Sequence, residues 1–97
     1  MLFVFIGKDK PDNLEQRLAV RPVHLEHLNS LGDKLVAAGA LWDDNEKPEG
    51  SVMVLEADSL EAAKTAFAAD PFVQQGVFAS WEVKRWNLAI DHMAKRG

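Results

Sequence analysis

Two histidines and an aspartate are the residues of this sequence best suited to chemistry. His24 and His27 lie in the stretch RPVHLEHL, and Asp70 begins the stretch DPFVQQGVF. Imidazole takes up and releases a proton near neutral pH, so histidine is the side chain that most often acts as a general acid or base. The sequence therefore directs attention to proton transfer, provided that the fold opens one of these groups to a ligand.

The spacing of apolar residues predicts that His24 points inward from a helix. Pro22 suits a first helical turn and Gly39 suits a helix end, so the pattern predicts a helix over 22–38. The apolar stripe of this helix consists of Leu28, Leu31, Leu35 and Ala38. At about 100° per residue, His24 falls at the centre of that stripe. Its side chain is therefore expected in the core or in a cavity lined by the core.

The same placement puts His24 in the first helical turn, beside Arg21. Free N–H groups and the positive end of the helix dipole gather there, so a site at this point would suit an anionic ligand. The other interpretation is a core histidine whose hydrogen bonds are satisfied within the protein. His27 lies on the flank of the stripe. No acidic neighbour completes a recognisable ligand set with the two histidines, so no metal is predicted.

Asp70 is the second candidate because of where the predicted second helix ends. Asp58 and Glu61 resemble a capping box that opens a helix through LEAAKTAFAA, and Asp70-Pro71 closes that helix. The helix dipole disfavours a carboxylate at the C-terminal end. That conflict indicates a functional role, although Asp-Pro is also a common way to stop a helix.

The composition excludes several classes of function. The chain has no cysteine, which rules out disulfides, thiolate nucleophiles and zinc–thiolate sites. A net charge of −4 without a Lys/Arg cluster predicts no binding to nucleic acid. Ser51 has no adjacent base and no nucleophile-elbow context, so the sequence does not predict a serine hydrolase. No apolar stretch is long enough for a membrane span or a signal peptide, so we expect a cytoplasmic protein. Nothing in the sequence requires an organic cofactor.

The elements that position these residues follow the order β-α-β-β-α-β in one domain, residues 1–97. Strands are predicted at 2–6, from 41 onward, at 51–57 and at 80–86, with a helical turn at 14–20 and a C-terminal tail at 87–97. The order is typical of an α+β ferredoxin-like sandwich, whose two helices cover one face of an antiparallel sheet.

Two of these strands, LFVFI and VMVL, are apolar on both faces. Soluble monomers rarely expose an apolar patch as large as a bare sheet face. We therefore expect a homodimer in which one sheet face packs against the same face of a second copy. The alternative is that the C-terminal tail folds back and covers the face.

Three ordered stretches resemble the YciI-like (YCII-related) protein family: RPVHLEHLNSLGDKLVAAGAL, GSVMVLEADSLEAAKTAFAADPFVQQGVF and WEVKRWN. The resemblance covers nearly the whole chain. It implies a ferredoxin-like fold, association as a dimeric α/β barrel, and a cleft where a histidine meets an aspartate. The motif R-P-x-H-L places that histidine at His24, and D-P-[FY] places the aspartate at Asp70.

The same resemblance identifies further residues of the cleft. Arg21, Ser51 and Phe72 match other motif positions, and His27 stands where many members carry an aromatic residue; all four are assigned to substrate binding. Where chemistry has been assigned in the family, it is an elimination on a hydroxylated, chlorinated aromatic ring. One departure is that Ala40 follows Gly39 where the family often has proline.

More than one function stays open at this point. The preferred hypothesis is a small dimeric enzyme in which His24 is the general acid/base and Asp70 orients it, in a lyase- or isomerase-type reaction on a small aromatic or anionic substrate. The alternative is a non-catalytic module that binds a small molecule in the same barrel. A cofactor-independent monooxygenase is a third option that rests on architecture alone. Contact between His24 and Asp70 beside an open cavity would favour the enzyme.

Overall fold

A four-stranded antiparallel sheet carries all other elements. The computed structural model describes residues 1–96, in which the strands are β1 Leu2–Asp9, β2 Leu35–Trp42, β3 Pro48–Glu56 and β4 Phe78–Trp86. The helices are α1 Leu14–Ser30, α2 Leu60–Ala68 and the short α3 Pro71–Gln74, with 3₁₀ turns at Gly32–Lys34 and Met93–Arg96. The strand order β2-β3-β1-β4, antiparallel throughout, confirms the predicted α+β ferredoxin-like fold.

The hydrophobic core lies between the sheet and the helices, and strand parity decides which side chains reach it. Phe3 and Phe5 of β1 are buried, and they pair across the sheet with Leu55 and Met53 of β3, which are buried on the same side. The helices complete the core with Val20, Leu28, Ala63, Phe67 and Phe72. Alternation along β1 thus turns every second residue toward the helices.

The opposite face of the sheet is apolar at its centre. We call it the outer face; its centre consists of Leu2, Val4 and Ile6 of β1 and Val52 and Val54 of β3, and β4 adds Glu82 and Lys84 beside it. All of the central side chains except Val54, which is 7% exposed, keep partial contact with solvent, because both long helices pack on the other side. The two-faced apolar strands seen in the sequence therefore leave an uncovered apolar patch.

The C-terminal tail does not bury its own apolar side chains against the outer face. Residues 87–92 have no regular structure, and Ile90 and Met93 are 76% and 70% exposed. A tail packed over the sheet would have hidden these side chains from water. Gly97, the last residue of the predicted tail, lies outside the described residues.

The first helix begins and ends eight residues earlier than predicted. It spans Leu14–Ser30 and contains Pro22 in its interior. Proline has no N–H, so the backbone carbonyl one turn before Pro22 receives no hydrogen bond within the helix. Pro22 is exposed, and water can bind that carbonyl instead. The stop is Gly32, whose φ of 60° gives the left-handed residue that commonly ends a helix. The predicted stop at Gly39 is wrong.

Residues 35–38, predicted as helix, form the start of β2. Ala38 pairs with Met53, and Ala40 pairs with Ser51. The alanines of LVAAGALW favour a helix locally, but pairing with β3 outweighs that preference. The small residues of β2 leave space between the sheet and α1.

The second helix also begins differently. Its N-cap is Ser59, whose hydroxyl oxygen accepts a hydrogen bond from the backbone N–H of Ala62 at 3.1 Å. The predicted capping by Asp58 is therefore wrong by one residue. None of the helices within residues 1–96 combines the length and the apolar character of a bilayer span.

Candidate active site

His24 and Asp70 meet in the interior, 46 residues apart in sequence. The Nδ1 atom of His24 lies 2.8 Å from Oδ1 and 2.9 Å from Oδ2 of Asp70. The two residues are 6% and 0% exposed. A hydrogen bond this short between buried polar groups holds both side chains in one geometry.

The position of Asp70 differs from the predicted one. Helix α2 already ends at Ala68, and Asp70 is the N-cap of α3, where Oδ1 also accepts the backbone N–H of Phe72 at 2.9 Å. Pro71 fits the first position of that helix because it has no N–H to satisfy. A carboxylate is favoured at an N-terminus, so the expected conflict with a helix dipole does not exist.

His24 lies in the third turn of α1, not in the first. The buried residues of α1 are Arg17, Val20, His24 and Leu28, at spacings of three or four that follow one face of the helix. The predicted inward direction of His24 therefore agrees with the structure. The predicted helix entrance beside Arg21 is wrong, since the free N–H groups of α1 lie more than one turn before Arg21.

The hydrogen bond to Asp70 decides the tautomer of a neutral His24. A carboxylate only accepts, so Nδ1 carries the hydrogen and Nε2 carries the free lone pair. Within residues 1–96 Nε2 has no hydrogen-bond partner, yet that part of the chain has no buried side-chain N or O atom without one. Nε2 must therefore be accessible from outside the protein.

His24 lines a small cavity between α1 and the sheet, with a volume of about 140 Å³. One wall is α1, with Arg17, Arg21, His24, Leu25 and Leu28; the other is formed by Ala38, Gly39, Ala40, Ser51 and Met53. Three of the predicted site residues, His24, Arg21 and Ser51, thus share one cavity. Arg21 is exposed at its edge, and Ser51 is buried in its wall.

Phe72 packs against His24 and does not line this cavity. The two rings are parallel within 7°, with centroids 3.7 Å apart. Phe72 also forms an edge-on pair with Phe78 at 5.8 Å. These contacts fix the plane of the imidazole, which places Phe72 beneath the site and not in the predicted contact with substrate.

His27 lies away from the cavity as well. Its Nε2 atom is 2.9 Å from the carbonyl oxygen of Ala66, to which it donates. The bond joins α1 to α2. The structure therefore gives His27 a contact between helices, whereas the sequence assigned it to the pocket.

Arg17 and Asp9 belong to the site and were not predicted. Arg17 is 4% exposed; its Nη1 donates to Oδ1 of Asp9 and its Nη2 to Oγ of Ser51, both at 2.7 Å. Its guanidinium carbon lies 4.8 Å from the centre of the Phe72 ring. A signal was present: Arg17 precedes His24 by seven residues, which is two turns of one helix face.

Within residues 1–96, no three side chains of His, Cys, Asp or Glu come together as metal ligands would.

Burial raises the pKa of the Asp9 carboxyl above its ordinary value of 3.8, although Arg17 beside it acts in the opposite direction. The ionised carboxylate is thus less favourable in the folded chain than in the unfolded chain. Between pH 3.8 and the raised pKa the folded chain binds more protons. The stabilising contribution of Asp9 is therefore present below pH 3.8 and is lost as the pH rises through the raised pKa.

Asp9→Asn is accordingly expected to be as stable as the wild type at pH 7, or more stable. Asparagine keeps an acceptor for Arg17 and removes the buried carboxylate, whose raised pKa indicates that its burial costs more than the pair with Arg17 returns. Urea unfolding at a series of pH values tests this: the advantage of the variant over the wild type should be smallest below pH 3.8, grow between pH 3.8 and the raised pKa of Asp9, and stay constant above it. A less stable variant at pH 7 would show that the ion pair with Arg17 outweighs the cost of burial.

Comparison with known proteins agrees with the fold and with the motifs. The sequence profile of the YCII-related domain matches residues 1–87. Protein YciI of Escherichia coli O6:H1 is 42% identical over 92 residues, covering 87% of this chain and 94% of that protein.

Solved structures give the same result. A 5-chloro-2-hydroxyhydroquinone dehydrochlorinase from Burkholderia phenoliruptrix, in complex with 2,5-dihydroxybenzoquinone, has a TM-score of 0.82 at 32% identity, covering 90% of this chain and 94% of that one. A cofactor-independent oxygenase from Streptomyces nogalater has a TM-score of 0.56 at 11% identity over 95% of each chain, which shows a shared fold only. The chain belongs to the YCII-related domain family.

Proposed function

We propose that this protein is a small enzyme in which His24 moves a proton to and from its substrate. One observation carries the proposal: Asp70 holds Nδ1 of His24, while Nε2 is accessible and the residue lines a cavity. That is the arrangement of a general base with an orienting carboxylate. A histidine kept only for packing would have both ring nitrogens satisfied within the protein.

The proposed cycle uses the two nitrogens differently. Nε2 accepts a proton from the substrate, and the ring becomes an imidazolium. Asp70 stabilises that positive charge through Nδ1–H and does not itself take the proton. The proton then returns to another atom of the substrate or to a leaving group, which gives an isomerisation or an elimination.

The cavity and a relative support a small, oxygen-bearing ring as substrate. A volume of about 140 Å³ is close to the cavity of about 150 Å³ that accommodates benzene in another protein. Arg21 at the edge favours a negative charge on the ligand. The dehydrochlorinase at 32% identity acts on a chlorinated hydroxyhydroquinone, and its structure contains a dihydroxybenzoquinone.

A substrate screen tests the proposal. Chlorinated and unchlorinated single-ring hydroquinones would be incubated with the protein in D₂O, with chloride release and loss of carbon-bound ¹H followed by ion chromatography and NMR. Enzyme-dependent elimination or exchange that His24→Ala abolishes is the expected result. Tight binding of a ring compound with neither reaction, in the wild type and in His24→Ala alike, would instead favour the non-catalytic binding module.

We also propose a homodimer in which two copies of the chain pack outer face against outer face. The centre of the outer face is apolar and partly exposed in residues 1–96, and exposed apolar surfaces of this kind mark association sites.

Val52→Lys is expected to turn the dimer into monomers, because a dimer would have to bury the new charge between two apolar sheets. The matched control is Ile90→Lys, which places the same charge on a tail residue outside the sheet that is 76% exposed. Sedimentation equilibrium should give twice the chain mass for the wild type and Ile90→Lys, and the single chain mass for Val52→Lys. A wild type that sediments as a monomer would rule out this assembly.

A further inference from the structure

The hydroxyl group of Ser51 is oriented by Arg17, its only side-chain hydrogen-bond partner within residues 1–96. Ser51 is 3% exposed and lies in the sheet wall of the cavity that His24 enters from the helix wall. Nη2 of Arg17 lies 2.7 Å from Oγ of Ser51. Arginine has donors only, so Oγ must be the acceptor in this bond.

This direction leaves the hydrogen of the Ser51 hydroxyl without an acceptor. No hydrogen bond within residues 1–96 uses Ser51 as a side-chain donor. A buried hydroxyl that donates to nothing costs free energy, unless a molecule in the cavity accepts it. The Ser51 O–H group is therefore free to donate a hydrogen bond to a molecule in the cavity.

Arg17 is held firmly enough to impose this direction. Asp9 accepts from its other terminal nitrogen at 2.7 Å, and the Phe72 ring lies beneath its guanidinium group at 4.8 Å. Asp9, Phe72 and Ser51, the three neighbours of the guanidinium group, all have side chains that are buried or nearly so. Arg17 is thus a positioning residue, which acts on the ligand through the hydroxyl of Ser51.

We infer that Ser51 and Arg21 bind a negatively charged oxygen of the substrate while His24 exchanges a proton at a neighbouring carbon. This inference rests on the proposed function. It names the substrate class: small, single-ring carbonyl compounds that can enolise, whose oxygen gains negative charge in the reaction and becomes a phenolate oxygen where the ring turns aromatic. Donors aimed at such an oxygen from a buried wall are the means by which enzymes lower the barrier to its formation.

The step conserves atoms and electrons without another reactant. Nε2 of His24 takes the proton of a C–H bond next to the carbonyl, and the electron pair of that bond forms a C=C bond. The C=O π pair moves to oxygen, which becomes an enolate oxygen bonded to Ser51 O–H and facing Arg21. Return of the proton to a different carbon gives an isomer. When the enolate re-forms C=O, expulsion of an anion from the β-carbon gives an elimination.

The test uses 4-nitrophenol, whose phenol and phenolate forms absorb at different wavelengths. Titration of the wild type by difference absorbance should show that the phenolate binds preferentially. Ser51→Ala is expected to weaken phenolate binding about 10- to 100-fold, the usual loss for one hydrogen bond to a charged group, with little effect on the neutral phenol. Ser51→Thr keeps a hydroxyl and should restore most of the preference, and Ser80→Ala on exposed β4 is the control.

Two further comparisons separate this inference from the role of His24. The Ser51→Ala loss should also appear in a His24→Ala background, which removes any contribution of the imidazole and needs no turnover. Arg17→Met should reduce the ratio of phenolate to phenol affinity, a ratio that a loss of packing alone would not change; thermal unfolding identifies a variant that fails to fold. Equal phenolate binding by folded wild type and Ser51→Ala would overturn the inference and leave the proton transfer by His24 intact.

Discussion

His24→Ala is expected to lower kcat by about 10³-fold or more on any substrate that the screen identifies. Removal of a general acid or base typically costs 10²- to 10⁴-fold. His24 is the only proposed proton acceptor of the cavity, so the upper part of that range applies. Initial rates of chloride release or of ¹H loss measure the effect directly.

The chain provides a matched control in His27→Ala. His27 lies one turn further along the same helix, and its ring is bonded to the carbonyl of Ala66, outside the cavity. This variant should lose about 1 kcal/mol of stability, the typical value for one hydrogen bond, and should keep wild-type turnover. Equal losses of turnover in the two variants would mean that His24 acts through the fold and not through the reaction.

Strand parity and helix phase were the parts of the fold that the sequence could predict. Phase depends on residue spacing alone, so the inward direction of His24 was right even though the helix bounds were eight residues off. The predicted bounds of the helix depended on Pro22 for the start and on the choice between Gly32 and Gly39 for the end. Pro22 fits a helix start as well as an exposed interior position, and only the left-handed backbone at Gly32 identifies the true end.

The same misplaced helix start explains why Arg17 was missed. A helix that begins at Pro22 excludes Arg17 from the stripe of His24, whereas a helix from Leu14 places both on one face. Its partners Asp9 and Ser51 come from two different strands, and their contact with Arg17 depends on sheet pairing. Local patterns do not contain that information.

The fold itself does not determine the chemistry. A cofactor-independent oxygenase has the same arrangement of sheet and helices at 11% identity. The chemistry proposed for the present chain depends on side chains of one helix face and one sheet wall: His24 held by Asp70, and Ser51 held by Arg17. The experiments that decide function must therefore change these groups and leave the scaffold in place.

Asp70→Asn is expected to separate the two roles of Asp70, which caps α3 and orients the ring of His24. Asparagine is an equally good N-cap, so α3 and the stability of the fold should be retained. Both carboxylate oxygens lie within 2.9 Å of Nδ1, so the amide must bring an N–H group toward that nitrogen.

The ring then either meets a repelling donor or takes the other tautomer, with the hydrogen on Nε2 and no base in the cavity. We expect kcat to fall about 10²- to 10⁴-fold, while urea unfolding stays within about 1 kcal/mol of the wild type. Asp70→Ala should lose the turnover and also about 1 kcal/mol or more for the missing cap. If Asp70→Asn turned over normally and only Asp70→Ala were impaired, the carboxylate would be a cap and His24 would act without it.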